Sequence, residues 1–507
     1  MKQALRIFRK DVRHLWPQIA LVVAVEVAVS GAALGMDGTS PARNVMGVPL
    51  VLAVGYLIAA LVHEEKAHGN QQYWVTRPIS WQAVVAAKAL FAIAFLWLPG
   101  MAIGVAGLVV FTRSPMEHLP GLLASGLLGL SSFILPVAAL AAITSSLVQM
   151  VWAVIGTWVG WLVLARLMLH LWTSSQDWGG LEWWRTMAVA AAGLVVFTAI
   201  VAFQYARRRT RLARGLMVSA MLASGFIPAI SGSHLAFALQ QKIMGRRVSD
   251  HLVQISFDEA RERSQRSGTS VAWVDALRVQ LPIRVTGMPA GRALMSEGAK
   301  VTIESPNGER SVSSWDARTR LNSDGASRND NTVLPGDGQY WWDMAAEGVF
   351  YGRHSFDHDI RVHATLALTL LSEEEITPLV IRQGMQPVPH DGRCWIALRE
   401  QYLNATCTWP GRTPARVELR IHQRATDENG TTYEVGPTMR ESPPGSYAPF
   451  PVSGVWQWVN QSTSLAKAPK GILLDAKPTS IELVTRWPEA WFERELDIPK
   501  VGDWFRL

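Results

Sequence analysis

Several groups of residues in this chain have side chains that could do chemistry, and none forms a complete catalytic set. His63-Glu64-Glu65-Lys66-Ala67-His68 has the residue types of a zinc-protease helix. That chemistry needs H-E-x-x-H, with two imidazoles one helical turn apart; position 67 is alanine, and the second histidine comes one residue late. His354, Asp357, His358 and Asp359 cluster over residues 352–359. Imidazole and carboxylate can share a cation, but a polar run of this make-up is ordinarily a solvated loop. Cys394 and Cys407 are the two cysteines. A metal site would need further ligands near them, which leaves a disulfide, suited to an exported domain, or two buried thiols. Ser, His and Asp are plentiful, but sequence alone brings no triad together. G-x-x-x-x-G-K-[ST], whose amides and lysine hold nucleotide phosphates, does not occur. No catalytic residue, metal set or cofactor of its own is therefore expected in the chain.

One acid stands apart. Glu26 lies mid-run in Val22-Val23-Ala24-Val25-Glu26-Val27-Ala28. A carboxylate in lipid costs several kcal/mol unless it faces protein or water, so it is a candidate for a substrate cation or a proton. A structural hydrogen bond to another helix is the plainer alternative. Arg166, in a later apolar run, is expected to snorkel; pairing with Glu26 would have to bridge a depth difference of about 10 Å.

The elements that must position these residues fall into two unlike halves. Residues 1–249 hold 20 Lys+Arg and 8 Asp+Glu, residues 250–507 hold 28 and 33, so +12 and −5 give the net +7. The excess cations lie between long apolar runs, which excludes a nucleic-acid-binding surface and fits the charges that orient membrane helices. About 20 apolar residues cross a bilayer. Seven runs qualify: Pro17–Met36, Val45–Val62, Val84–Phe111, Leu119–Ser145, Met150–Leu171, Thr186–Tyr205 and, least secure, Gly215–Leu239. The third and fourth are long enough to tilt. The first lacks a cleavage site and is expected to stay as a span.

Cations fix the orientation. Lys2, Arg6, Arg9, Lys10 and Arg13 precede the first run, Lys66, Arg77 and Lys88 surround the second turn, and Arg207, Arg208, Arg209, Arg211 and Arg214 follow the sixth run. All share one side if every run spans, and the positive-inside rule makes that side cytoplasmic. Trp172, Trp178, Trp183 and Trp184 form an aromatic belt on the other side. Leu5, Phe8, Val12 and Leu15 recur at helical spacing among the first cations, which predicts an amphipathic helix on the membrane surface, apolar face toward acyl chains, rather than a disordered tail.

The connection after the second run is the most informative. Glu64 and Glu65 open it, Gly69 follows, and Thr76-Arg77-Pro78-Ile79-Ser80 closes it. Pro78 forces an extended approach, Ser80 can cap the next helix, and Lys88 lies inside that helix. At Glu64, Glu65, Gly69, Thr76, Pro78, Ile79, Ser80 and Lys88 the chain resembles permeases of type-2 ATP-binding-cassette (ABC) exporters. The N-terminal helix and six spans are similar too, over roughly the first 210 residues. The resemblance implies a dimeric or paired permease whose ATP and Mg are bound by a separate cytoplasmic ABC ATPase. About Glu64–Ser80 would then be the coupling segment docked on that ATPase. A loop that merely connects two helices is the plain alternative. The chain departs from the short members of the family in its seventh run and its polar second half.

Strand patterns dominate after residue 278. Val301 and Ile303 alternate before Ser305-Pro306-Asn307-Gly308 and Val312; Val417, Leu419 and Ile421 alternate before Asp427-Glu428-Asn429-Gly430, Tyr433 and Val435. Both turns contain Asn-Gly, a hairpin signal. Further strands are expected across Val362–Leu371 and Ile481–Val484, with Cys394 and Cys407 on neighbouring strands. The expected fold is an α-helical polytopic membrane domain of six to seven spans followed by a β-rich, sandwich-like soluble domain. Its parts would be a surface helix over 1–16, a permease domain over 17–241, a partly helical linker over 242–277 and an extracytoplasmic domain over 278–507. The expected function is the permease subunit of an exporter in the cytoplasmic (inner) membrane. The alternatives are a membrane receptor reading a ligand outside and, more weakly, a membrane-bound enzyme.

Overall fold

The computed structural model describes residues 2–35, 41–64, 80–111, 115–171, 179–230, 242, 253–260, 276–313, 320–322, 333–354, 357–380, 386–399, 402–409, 414–426, 432–441, 457–464, 473–474 and 480–505. Those up to 230 are almost wholly helical: α1 (Lys2–His14), α2 (Trp16–Gly35), α3 (Pro41–Glu64), α4 (Trp81–Ala92), α5 (Leu98–Phe111), α6 (Pro115–Gly129), α7 (Leu135–Ile143), α8 (Leu147–Leu171), α9 (Gly179–Arg207) and α10 (Thr210–Ile230). The two longest apolar runs continue through π-turns, Ile93–Trp97 between α4 and α5 and Leu130–Ile134 between α6 and α7. Each π-turn contains the residue four before a proline, Phe95 before Pro99 and Ser132 before Pro136. Proline lacks the N–H and crowds that carbonyl, so the helix widens by one residue instead of breaking.

Among the described residues, five segments are long and apolar enough to cross a bilayer: Gly47–Glu64, Trp81–Ala106, Ser125–Ile143, Leu147–Leu164 and Ala188–Arg207. α1 and α2 together make a sixth, bent by 73°. Outward side chains agree with a lipid surrounding, since Trp152 is 68% and Val195 69% exposed and water would penalise such contiguous apolar faces. α10 is not among the five segments, and residues 231–239 of the expected seventh run lie outside the described residues. So do Trp172 and Trp178, while Trp183 and Trp184 are described only as helical backbone of α9.

The helix ends meet as up-and-down packing requires. His63 Nε2, at the end of α3, lies 3.1 Å from the Ala141 carbonyl oxygen and 3.4 Å from Thr144 Oγ1, at the end of α7. Arg214, near the start of α10, donates to the Ile143 carbonyl oxygen at 3.4 Å.

The second half is β-rich and antiparallel. Its first unit contains β1 (Gln254–Phe257), β2 (Ala276–Thr286), β3 (Ala293–Glu304), β4 (Arg310–Val312), β5 (Arg320–Asn322), β6 (Val333–Leu334), β7 (Gly338–Glu347), a short helix α11 (Gly348–His354) and β8 (Arg361–Leu371). The second contains β9 (Glu375–Leu379), β10 (Gln386–Val388), β11 (Gly392–Arg399), β12 (Tyr402–Trp409), β13 (Arg416–Thr426), β14 (Thr432–Glu441), β15 (Gln457–Ser464), β16 (Leu473–Leu474) and β17 (Ser480–Arg486). The chain then returns to the first unit as β18 (Pro488–Ile498). Sheets ordered β1-β2-β7-β5 and β18-β8-β3-β4 share one core around Leu281, Trp342, Val301, Leu366 and Phe492. Sheets β14-β13-β17-β9 and β10-β11-β12-β15 share another around Leu419, Leu483, Ile396 and Cys407.

Two expectations are corrected here. The single sandwich over 278–507 is two sheet pairs, the second inserted between β8 and β18 of the first. The linker over 242–277 contributes strand β1, which pairs Gln254–Phe257 with Ile283–Thr286. Val253 and Ile255 are buried on the alternate positions that a strand requires, and residues 243–252 and 261–275 of the expected linker lie outside the described residues.

Candidate functional site

The site is a polar knot at the end of the bundle where α1, α3 and α4 meet. Ile7 and Asp11 of α1 and Leu15 just beyond its end, each four residues apart, form the buried face of this segment. Phe8 packs beside them, its ring centroid 5.9 Å from Phe95 and 6.4 Å from Phe91. The expected apolar stripe therefore faces protein rather than acyl chains, and of Leu5, Phe8, Val12 and Leu15 only Leu5 is exposed.

Asp11 is fully buried within this contact, and Lys88 of α4 donates to its Oδ2 at 3.0 Å. Lys10 Nζ lies 3.7 Å from Asp11 Oδ1 and 3.4 Å from Glu64 Oε1. His14 Nε2 lies 3.2 Å from Glu64 Oε2. One surface helix is thus tied by charge to the last residue of α3 and to the second turn of α4. Those are the two helices on either side of residues 65–79. Ser80 caps α4 as expected: its backbone is extended and its Oγ accepts from the Ala83 N–H at 3.3 Å.

Of the residues singled out by sequence, Glu64 and Lys88 are linked at this knot through Lys10 and Asp11, and Ser80 caps the helix that carries Lys88. Glu65, Gly69, Thr76, Arg77, Pro78 and Ile79 lie outside the described residues. Asp11 is the residue that sequence reasoning missed. It is the only acid of α1 and shares the i, i+4 row with Ile7 and Leu15, a signal that an otherwise basic helix obscures.

Glu26 is half-buried and its carboxylate lies against Gly100 of α5, where an added Cβ would be 2.8 Å from Oε1. Arg166 is exposed on α8 and makes no ion pair among the described residues.

In the β half, His354 is buried with both ring nitrogens against carboxylates, Nδ1 at 2.8 Å from Asp357 Oδ2 and Nε2 at 2.8 Å from Glu309 Oε2. Its pKa is raised, first by the bond to Glu309 and then by Asp357, and that of Glu309 is lowered chiefly by His354. Geometry and charge describe a clasp between α11 and the β3–β4 turn. Among the described residues no group of three His, Cys, Asp or Glu side chains is arranged to hold a metal. Cys394 and Cys407 stand directly opposite on β11 and β12, Cα atoms 4.1 Å apart, and are joined as a disulfide in the second core.

No family model matches the chain, and no curated protein does. Among solved structures, a transglutaminase from red sea bream matches 53% of this chain and 34% of its own length at 14% identity, TM-score 0.11. The C-terminal globular domain of an oligosaccharyltransferase from Pyrococcus abyssi matches 48% and 49% at 7% identity, TM-score 0.12. This chain spans about a third of the first and half of the second, and at such TM-scores neither bears on its fold or activity.

Proposed function

We propose that this chain is the permease subunit of an ATP-driven exporter, paired with a second permease and powered by a separate cytoplasmic ABC ATPase. The observation that carries this reading is the charge knot of Asp11, Lys88, Lys10, Glu64 and His14. It fastens a surface helix to both helices flanking the segment 65–79 that the ATPase would grip. A push on that segment would reach α4 through the buried Asp11–Lys88 pair and α3 through the more exposed contacts of Lys10 and His14 with Glu64; the buried pair resists separation far more than a solvated one does. The ends of α3 and α7 and the start of α10 meet at one end of the bundle, which supports a cytoplasmic face bearing the N-terminus and the arginines after Tyr205. On this reading the β half lies outside the cytoplasm, where a disulfide persists. A receptor is the second reading, favoured by the size of the β half, two complete sheet pairs.

The test is recovery of an ATPase with the full chain purified from its own membranes. The wild type is expected to bring one down. Glu65→Arg with Arg77→Glu, which leaves the knot intact, is expected to lose it while still eluting as the wild type does. Absence of any ATPase from the wild-type preparation overturns the exporter reading and leaves the receptor.

A further inference from the structure

We infer that Glu26 holds the cationic head of an amphipathic ligand at the seam between α2 and α5, an ammonium or guanidinium group on an apolar body. Glu26 is ten residues into α2, about 15 Å along the helix and so near the middle of a hydrocarbon layer of about 30 Å. Its carboxylate packs on the backbone of α5 at Gly100, where the Cβ of any other residue would come within 2.8 Å of Oε1. Among the described residues, no donor or cation meets the carboxylate; Lys88 is paired with Asp11 at the end of the bundle and Arg166 lies exposed on α8. Val22 and Val23 line the same stretch of α2, buried and half-buried, so the walls are apolar.

A carboxylate at this depth needs relief by a protein cation, a proton or a bound cation. The first is missing among the described residues. A proton needs no space, and a tightly packed seam would serve it. Here one oxygen packs on Gly100 but the side chain is only half-buried, so its open side is reachable by something larger than a proton. A headgroup that brings positive charge meets the oxygens, and an attached chain meets Val22, Val23 and lipid. The inference rests on the exporter reading only in naming this cation as cargo; the binding itself involves no ATPase.

The experiment measures dodecylammonium binding to the full chain in nanodiscs of uncharged lipid, with empty nanodiscs as background and dodecanol as the uncharged counterpart. Saturable binding of dodecylammonium, and none of dodecanol, is expected for the wild type. Glu26→Gln, equal in shape, should weaken it about tenfold or more, and Glu26→Asp less. Gly100→Ala should weaken it by displacing the carboxylate that packs on this glycine, with elution and melting confirming that each variant folds. Equal affinity in wild type and Glu26→Gln overturns the inference, and so does equal binding of dodecanol. A pH-dependent change in tryptophan emission that needs Glu26, without dodecylammonium binding, assigns it a proton instead and also overturns it. ATPase recovery is scored separately, so either idea can fail alone.

Discussion

Replacing Asp11 by Asn should free α1 from the bundle. The change keeps size and shape but leaves the Lys88 ammonium, 8% exposed, without its counter-charge. Removing one member of a buried ion pair costs about 3–5 kcal/mol, because the remaining charge stays desolvated. At about 1.4 kcal/mol per factor of ten, the undocked population of α1 should rise about a hundredfold to a few thousandfold. The assay is maleimide labelling of Ile7→Cys, a buried position of α1; the two native cysteines are bonded to each other and do not compete. Lys88→Met should cost less than Asp11→Asn, because Lys10 stands 3.7 Å from the other carboxylate oxygen. Asp11→Leu with Lys88→Met, which removes both charges, should restore slow labelling. Labelling of Asp11→Asn within threefold of its parent would refute the claim that this pair holds α1 in place.

The His354 clasp should make the β half pH-sensitive. With both ring nitrogens donating, the bound form is imidazolium, and its folded pKa lies above the ordinary 6.5. Its stabilisation is complete below about that value and fades as pH rises through the raised one. On the acid side the clasp weakens as pH falls through the lowered pKa of Glu309, below its ordinary 4.5. Hydrogen exchange at α11 and the β3–β4 turn should therefore be slowest in mildly acidic solution, after correction for the intrinsic rate, and His354→Gln should flatten that dependence. For the disulfide, Cys394→Ser with Cys407→Ser opens a loop of sequence separation 13 and should cost about 3 kcal/mol. Melting of the full chain with and without reductant measures it, and an unchanged melting curve counts against a stabilising bond.

Much of the local structure was legible in the residues themselves. Apolar length marked the helices, since a bilayer sets the number of residues needed whatever the neighbours are. Alternation and Asn-Gly turns marked the hairpins, and β3–β4 follows the Ser305-Pro306-Asn307-Gly308 turn, with Gly308 at φ 82°. The opposed pair Cys394 and Cys407 fell on neighbouring strands as their separation suggested. Alternation, however, reports only that one face of a strand is buried. It says nothing about which sheet covers that face, so one sandwich was expected where two interleaved sheet pairs stand.

What the sequence by itself determined is each segment's solvent: which stretches are apolar enough for lipid and which belong in water. These follow from transfer free energies that are nearly additive along the chain. Only the tertiary structure decided that Asp11 meets Lys88 across 77 residues, that Phe8 of α1 rests on Phe91 and Phe95, and that Glu26 faces Gly100. Such pairings depend on the rotation and crossing of packed helices, which no single segment encodes. A buried charge marks a site only when its partner, or the lack of one among the neighbours, is in view.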